Sequence, residues 1–134
     1  MKVGYFQTSP RFGDKKFNFE KVENLITNIK ADLIVLPELF GTGYAFTSKE
    51  EAKQFAEDYN GETAQFLIRV AEMTGSVIIG GFIEKEGEKI YNAAMIVSSN
   101  GEIGSYRKIH QYLTLLTQEE AGQLNKVFLL LKIE

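Results

Sequence analysis

The chain has 134 residues, a length that corresponds to one ordinary domain. Hydrophobic residues make up 44% and charged residues 25%, close to the average of soluble globular proteins. With 15 basic and 18 acidic side chains the net charge is −3, which does not indicate binding to nucleic acid or to an anionic membrane. The apolar stretches are far shorter than the roughly 20 residues of a membrane span. The start "MKVGYFQ" has no apolar signal core, so we predict a cytoplasmic protein.

The sequence contains no cysteine, which excludes several kinds of chemistry within these residues. They can form no disulfide, no thiolate metal site and no cysteine nucleophile. With one histidine and no cluster of carboxylates at ligand spacing, the sequence gives no support for metal binding. We therefore expect neither a metal nor a cofactor.

The first part of the chain predicts a strand, a helix and a second strand. A short strand over 2–8 precedes a helix over 15–30 that Asp14 can cap. The apolar stripe predicted for this helix consists of Val22, Leu25, Ile26 and Ile29. "ADLIVLP" (31–37) is a continuous apolar run, typical of a strand that is covered on both faces. This order of elements indicates an α/β arrangement.

Two further helices are predicted next. Ser48 and Glu51 form a capping box for the first of them, which we expect to end at Gly61. Its predicted stripe consists of Ala52, Phe55, Ala56 and Tyr59. The other helix is predicted over 63–74, with Gly75 just past its end. Its inward side chains are Phe66, Leu67, Val70 and Ala71.

A β-meander is predicted after these helices. Its strands are "SVIIGGFIEK" (76–85), "KIYNAAMIVS" (89–98) and "EIGSYRK" (102–108), with turns at "EGE" and at Asn100-Gly101. The tail then predicts a short helix around 117–125 and an apolar strand over 127–133. Such a strand at the C-terminus indicates either an incomplete domain or a strand that pairs within the existing sheet.

Two opposite charges stand directly after predicted strands. Glu38 follows the second strand, and Lys108 follows the last strand of the meander. Because ligand sites in α/β sheets gather beyond the carboxyl ends of strands, these side chains could converge in one site. Judged by spacing alone, two solvated charges in loops are the more common explanation.

Two motifs resemble the nitrilase superfamily, the carbon–nitrogen hydrolases: "LPELFGTGY" (36–44) and "YNAAMIVSSNGEIGSYRKIH" (91–110). The opening "VGYFQTSP" is also similar to the first strand of this family, so the resemblance covers about residues 1–110. It implies an α/β fold that is the N-terminal half of an α-β-β-α sandwich, with a mixed sheet and helices on one face. It further implies a single, incomplete domain over 1–134, in which 111–134 form a divergent tail.

The resemblance also implies a glutamate–lysine–cysteine mechanism for hydrolysing small amide, carbamoyl or nitrile substrates. Glu38 matches the general base of the family and Lys108 matches its catalytic lysine, which stabilises an oxyanion. Tyr44 is a candidate for lining the substrate pocket, with a packed loop tyrosine as the alternative. The family cysteine follows a strand downstream of the lysine motif, and family domains are about twice this length. We therefore expect this chain to be inactive alone.

Structural roles are predicted for the other polar residues near these motifs. Tyr91 and Asn92 are assigned to the sheet, and His110 is interpreted as a hydrogen-bonded structural histidine. The serines at 98, 99 and 105 are interpreted as turn and strand-edge residues.

Three functional hypotheses follow. The first is a carbon–nitrogen hydrolase present as a truncated or frameshifted chain, and the second is a non-catalytic binding or assembly module derived from that fold. The third is an unrelated small α/β binding domain, which predicts that Glu38 and Lys108 lie well beyond roughly 10 Å apart. Half of a two-sheet sandwich would expose an apolar sheet face, so we also expect self-association.

Overall fold

A computed structural model of the protein describes residues 1–108. These residues form β1 (Val3–Tyr5), α1 (Lys15–Ile26), β2 (Leu33–Val35), α2 (Lys49–Lys53), α3 (Glu62–Thr74), β3 (Val77–Glu86), β4 (Lys89–Val97) and β5 (Ile103–Arg107). The helix predicted around 117–125, the strand predicted over 127–133 and His110 lie outside the described residues.

The five strands form one mixed sheet in the order β1-β2-β3-β4-β5. β1, β2 and β3 are parallel, because helical crossovers connect them, whereas β3, β4 and β5 form the predicted antiparallel meander. The predicted turn at Asn100-Gly101 joins β4 to β5, and Gly101 adopts the φ of +83° that favours glycine. The predicted α/β class and mixed sheet are therefore confirmed.

The hydrophobic core lies between one face of the sheet and helices α1 and α3. Phe66 of α3 stacks on Phe19 of α1, with ring centroids 4.3 Å apart, and Phe40 packs against both rings. The sheet contributes side chains that are almost fully buried, namely Ile34, Ile78, Phe82, Met95 and Val97. Burying a side chain of this size stabilises the fold by about 1.5–3 kcal/mol. The inward side chains predicted for α3 are all buried, and Gly75 ends that helix at φ +69°.

Helix α1 is shorter than predicted and uses a narrower apolar stripe. It ends at Ile26 instead of residue 30, and Asp14 caps its start by accepting from the Phe17 N–H. Two members of the predicted stripe were wrong, since Leu25 is 48% and Ile29 is 40% exposed. The apolar buried side of the helix instead begins one turn before Val22, at Phe19. The Phe19 ring packs against Phe40 and Phe66 in the core.

Helix α2 is also much shorter than predicted. Ser48 caps it as expected, with its hydroxyl accepting from the Glu51 N–H at 3.1 Å. The chain leaves the helix after Lys53 because Glu57 forms backbone hydrogen bonds with β3 instead. The stripe predicted through Tyr59 was therefore wrong. Gly61 does not end this helix but stands at the N-terminus of α3.

Candidate functional site

Glu38 lies in the loop that follows β2. Pairing with β3 continues one residue past the strand, where the Leu36 N–H donates to the Ile79 carbonyl at 2.8 Å. The chain then turns sharply at Leu39, whose φ of +47° is uncommon for a residue other than glycine. Such a conformation costs about 1–3 kcal/mol. Burial of Leu39 and Phe40 offsets this cost and holds the loop in place.

Gly81 of β3 allows this loop to lie directly on the sheet. A Cβ atom at residue 81 would stand 2.9 Å from the Glu38 Cα and 2.9 Å from the Leu39 nitrogen. A Cβ atom on the preceding residue, Gly80, would instead point towards Phe40 and towards Leu67 of α3. Because successive residues of a strand face opposite ways, Glu38 lies over the sheet face that is turned away from the helices.

Asn18 of α1 ties the loop to the rest of the fold. Its side chain is almost fully buried, and its Nδ2 donates to the Gly41 and Arg11 carbonyls at 2.8 Å each. Its Oδ1 accepts from the Arg11 N–H at 2.7 Å. These three bonds satisfy most of the polar groups of a buried amide and join α1 to two loops. No sequence pattern pointed to this residue.

Lys108 follows β5, which runs in the same direction as β2, so it lies at the same end of the sheet as Glu38. Its backbone N–H donates to the Asn92 carbonyl at 2.9 Å, so pairing with β4 continues past β5. Its Nζ lies 3.4 Å from Glu38 Oε1, across 70 residues of sequence. The two side chains remain 29% and 43% exposed, and a partly exposed ion pair contributes only about 0–1 kcal/mol of stability. The structure thus brings the two charges together at little benefit to folding.

Asn92 of β4 is a third member of this cluster. Its Nδ2 donates a hydrogen bond to Glu38 Oε1, the same oxygen that Lys108 contacts. From the sequence, Asn92 was predicted only to serve the sheet. A signal was available, because Asn92 is the one residue with a side-chain amide in a strand of mostly apolar residues. Once the Asn100-Gly101 turn is placed, the hairpin register also sets Asn92 opposite Lys108.

Arg107 forms a different ion pair on the opposite face of the sheet. Its guanidinium donates to both oxygens of the buried Glu84, at 2.5 and 2.8 Å, and also pairs with Glu86. It stacks over the Tyr91 ring at 4.0 Å. The hydrogen bonds from Arg107 hold the pKa of the Glu84 carboxyl below its usual range. This cluster fixes the end of β5, from which Lys108 extends.

Tyr44 lies in the same loop as Glu38, directly after Gly43. Its side chain is 56% exposed, so it is accessible from solvent and is not packed in the core. The contacts found within residues 1–108 do not join it to Glu38 or Lys108. Within the same range, no cluster of three or more potential metal ligands occurs. None of the helices in this range is long and apolar enough to span a bilayer.

The fold and the cluster together define an α/β protein with a carboxylate–ammonium pair held at the ends of its strands. The chain belongs to the carbon–nitrogen hydrolase family, whose family model matches residues 2–129. This match confirms the resemblance described above and excludes the hypothesis of an unrelated binding domain.

Known proteins that resemble the chain agree with this assignment. A nitrilase of Pyrococcus abyssi is 44% identical over 116 residues, which cover 84% of this chain and 44% of that protein. An (R)-stereoselective amidase of a Pseudomonas species is 30% identical over 112 residues, covering 82% and 40%. The crystal structure of a carbon–nitrogen hydrolase from Helicobacter pylori superposes with a TM-score of 0.73 at 28% identity, covering 82% and 40%. The chain therefore spans less than half the length of these relatives.

Proposed function

We propose that this chain supplies the glutamate and the lysine of a carbon–nitrogen hydrolase site that acts on small amide, carbamoyl or nitrile substrates. The observation that carries this proposal is the 3.4 Å separation of Lys108 Nζ and Glu38 Oε1. Residues this far apart in sequence meet although their ion pair adds little stability. A role in chemistry explains the convergence better than a role in folding.

The proposed roles follow from the charges. Glu38 takes the proton of a thiol, whose sulfur then forms a bond to the substrate carbon. Lys108 stabilises the negative charge that develops on the substrate oxygen or nitrogen. With an amide or carbamoyl substrate, Glu38 returns the proton to the leaving nitrogen as the C–N bond breaks, which leaves an acyl group on the sulfur. With a nitrile, the proton passes to the nitrogen of a thioimidate, and one water then replaces this nitrogen as ammonia to give a thioester. A water molecule finally hydrolyses the bond between the sulfur and the acyl group and restores the thiol.

The thiol has to come from outside these 134 residues, because the sequence has no cysteine. A covalent mechanism without its nucleophile loses the intermediate that divides the reaction into easier steps. We therefore expect no turnover by this chain alone. The same absence favours a second candidate function, a non-catalytic binding or assembly module that retains the Glu38–Lys108 pair.

Tyr44 is proposed as a substrate-binding residue. Its exposed ring lies in the loop that carries Glu38, directly after the buried residues 39–43. An exposed aromatic ring on a fixed loop offers a substrate both an apolar surface and a hydroxyl group.

A chimeric enzyme tests the catalytic roles. Residues 1–108 of this chain replace the matching segment of the Pyrococcus abyssi nitrilase, which supplies the remainder of a complete protein. In this chimera we expect Glu38→Gln to lower kcat by about 10²–10⁴-fold and Lys108→Met to lower it by about 10²–10³-fold. The matched controls are Glu88→Gln in the β3–β4 turn and Lys89→Met at the start of β4, which both change exposed residues.

Assays of the chain alone distinguish the two candidate functions. An aliphatic amide, an N-carbamoyl amino acid and an aliphatic nitrile are incubated with it, and ammonia release and NMR shifts are followed. Hydrolysis that Glu38→Gln abolishes would show that no external nucleophile is needed. Binding without turnover, combined with a folded chimera that is indifferent to Glu38→Gln, would favour the binding module.

A further inference from the structure

Asn92 lies at the centre of the cluster, on the sheet face that carries Glu38. In β4 it pairs with Ile83 of β3 on one side, and on the other its carbonyl accepts from the Lys108 N–H. Two neighbouring strands therefore fix its backbone. Its side chain extends from this fixed position to the Glu38 carboxylate, 54 residues away in sequence.

Both described contacts of the Glu38 carboxylate fall on one oxygen. Asn92 Nδ2 and Lys108 Nζ donate to Oε1, whereas Oε2 accepts none of the hydrogen bonds formed within residues 1–108. Two donors on one oxygen restrict rotation of the carboxylate about its terminal bond. They also distinguish the two oxygens, which are equivalent in a free carboxylate.

We propose that Asn92 is a positioning residue for Glu38. Its amide holds Oε1 and leaves Oε2 as the oxygen that exchanges the proton with the nucleophile. This inference rests on the proposed function, in which Glu38 is the base. It adds a residue and an atomic assignment to that function.

The chemistry of the two donors explains why Lys108 alone cannot hold the Glu38 carboxylate in place during the reaction. A lysine ammonium is a mobile charge on a flexible stem, and the proposed reaction draws it towards the developing negative charge of the substrate. Glu38 then loses one of its two donors. The Asn92 amide is neutral and short, and it stands on a paired strand, so it keeps Oε1 in place throughout the reaction.

An NMR titration of the unmodified 134-residue chain tests the contact. We expect the side-chain amide resonances of Asn92 to move as Glu38 is protonated in acid, and this movement to disappear in Glu38→Gln. The side-chain amide of Asn18 is the internal control, because it donates to two backbone carbonyls, which do not titrate. The proposal would be overturned if the Asn92 amide shifts in the folded chain changed with pH as little as those of Asn18.

Two variants test the positioning. Asn92→Leu keeps the bulk but removes the donor, whereas Asn92→Gln keeps an amide donor on a longer arm. We expect the shift difference between the two Hγ resonances of Glu38 to be smaller in Asn92→Leu than in the parent chain, and to be retained in Asn92→Gln. An undiminished difference in an Asn92→Leu variant with native backbone shifts would overturn the proposal. Failure of the proposed function alone would instead leave these spectra unchanged and appear as a chimera indifferent to Glu38→Gln.

Discussion

Arg107 and Lys108 are neighbours in sequence, yet their side chains form ion pairs of different kinds. Arg107 pairs with Glu84, whose side chain is 1% exposed, and Lys108 pairs with Glu38, whose side chain is 43% exposed. A buried carboxylate that loses its partner is strongly destabilising, whereas a partly exposed one regains water. The Arg107–Glu84 pair therefore stabilises the sheet. The Lys108–Glu38 pair contributes little to stability and is available for a role in a site.

Removal of the Arg107 charge tests the structural pair. We expect Arg107→Met to lower the urea midpoint of unfolding substantially, because Glu84 stays buried without its charged partner. Arg11→Met is the matched control, since Arg11 also stacks on an aromatic ring but pairs with an exposed Asp14. An exposed pair of that kind contributes about 0.2–1 kcal/mol. Equal midpoints for the two variants would contradict the account.

The pH dependence of stability reports on the same pair. Arg107 lowers the pKa of Glu84 in the folded state, so the folded chain binds fewer protons than the unfolded chain in mild acid. The resulting stabilisation is present above the unfolded pKa of about 4.3, and it is lost as the pH falls through the folded-state pKa. Urea unfolding at a series of pH values should show this fall in stability, and a shallower fall in Arg107→Met. If stability fell more steeply with decreasing pH in Arg107→Met than in the parent chain, the result would contradict this expectation.

The elements that sequence patterns predicted well are those whose signals are local. Helix α3 has a complete apolar stripe and a C-terminal glycine, and the meander has two turn signals. Helix α2 has a correct start at Ser48 but a wrong length, because its end is decided elsewhere. Glu57 bonds to β3, pairs with Lys15 and accepts from the Thr63 N–H at the start of α3. No pattern within that segment reveals contacts with partners so distant.

In the candidate site, too, the residues with local sequence signals were predicted and those that depend on distant contacts were not. Glu38 and Lys108 were predicted from strand ends and family motifs. Asn92 and Asn18 were missed because their roles depend on side-chain contacts across 54 and 23 residues. The conformation of Leu39 was also unpredictable, since it results from packing the Glu38 loop against β3.

The contact between β3 and the Glu38 loop can be tested at Gly81. We expect Gly81→Ala to destabilise the fold by about 1–3 kcal/mol, because the new methyl group meets loop backbone at 2.9 Å. The Glu38 and Lys108 resonances should shift as the loop is displaced. Gly104→Ala is the matched control, because the nearest atom to its new methyl group is 3.9 Å away on the same sheet face. Equal unfolding free energies for the two variants would contradict the described loop position.

At the scale of the whole molecule, the sheet has one face covered by helices and one apolar face that also carries the site. Side chains on the second face include Val3, Tyr5 and Tyr106, which are 55%, 80% and 41% exposed. Their positions follow from the register, which aligns Tyr5 with Val35, Ile79, Ile96 and Gly104 across the five strands. Leu33, Ile79 and Ile83 on the same face are buried, so its exposed apolar side chains lie on the edge strands β1 and β5. Exposed apolar side chains on a sheet favour association.

We therefore expect the chain to self-associate through this face. Light scattering should give a mass above 15.1 kDa for the parent chain, and Tyr5→Lys should lower it. Leu25→Lys serves as the control, because Leu25 is an exposed apolar residue on α1, away from this face. A monodisperse 15.1 kDa parent would contradict the expectation.

We propose that Glu38 and Lys108 form one site, and a zero-length cross-link can probe the contact between them. A carbodiimide joins a carboxylate to an amine with loss of one water only when the two groups are in contact. Mass spectrometry of the 134-residue chain should detect a Glu38–Lys108 isopeptide, which Glu38→Gln abolishes. The exposed pair of Lys53 and Glu88, 3.9 Å apart, provides the internal reference. Formation of the reference link without the Glu38–Lys108 link would contradict the account.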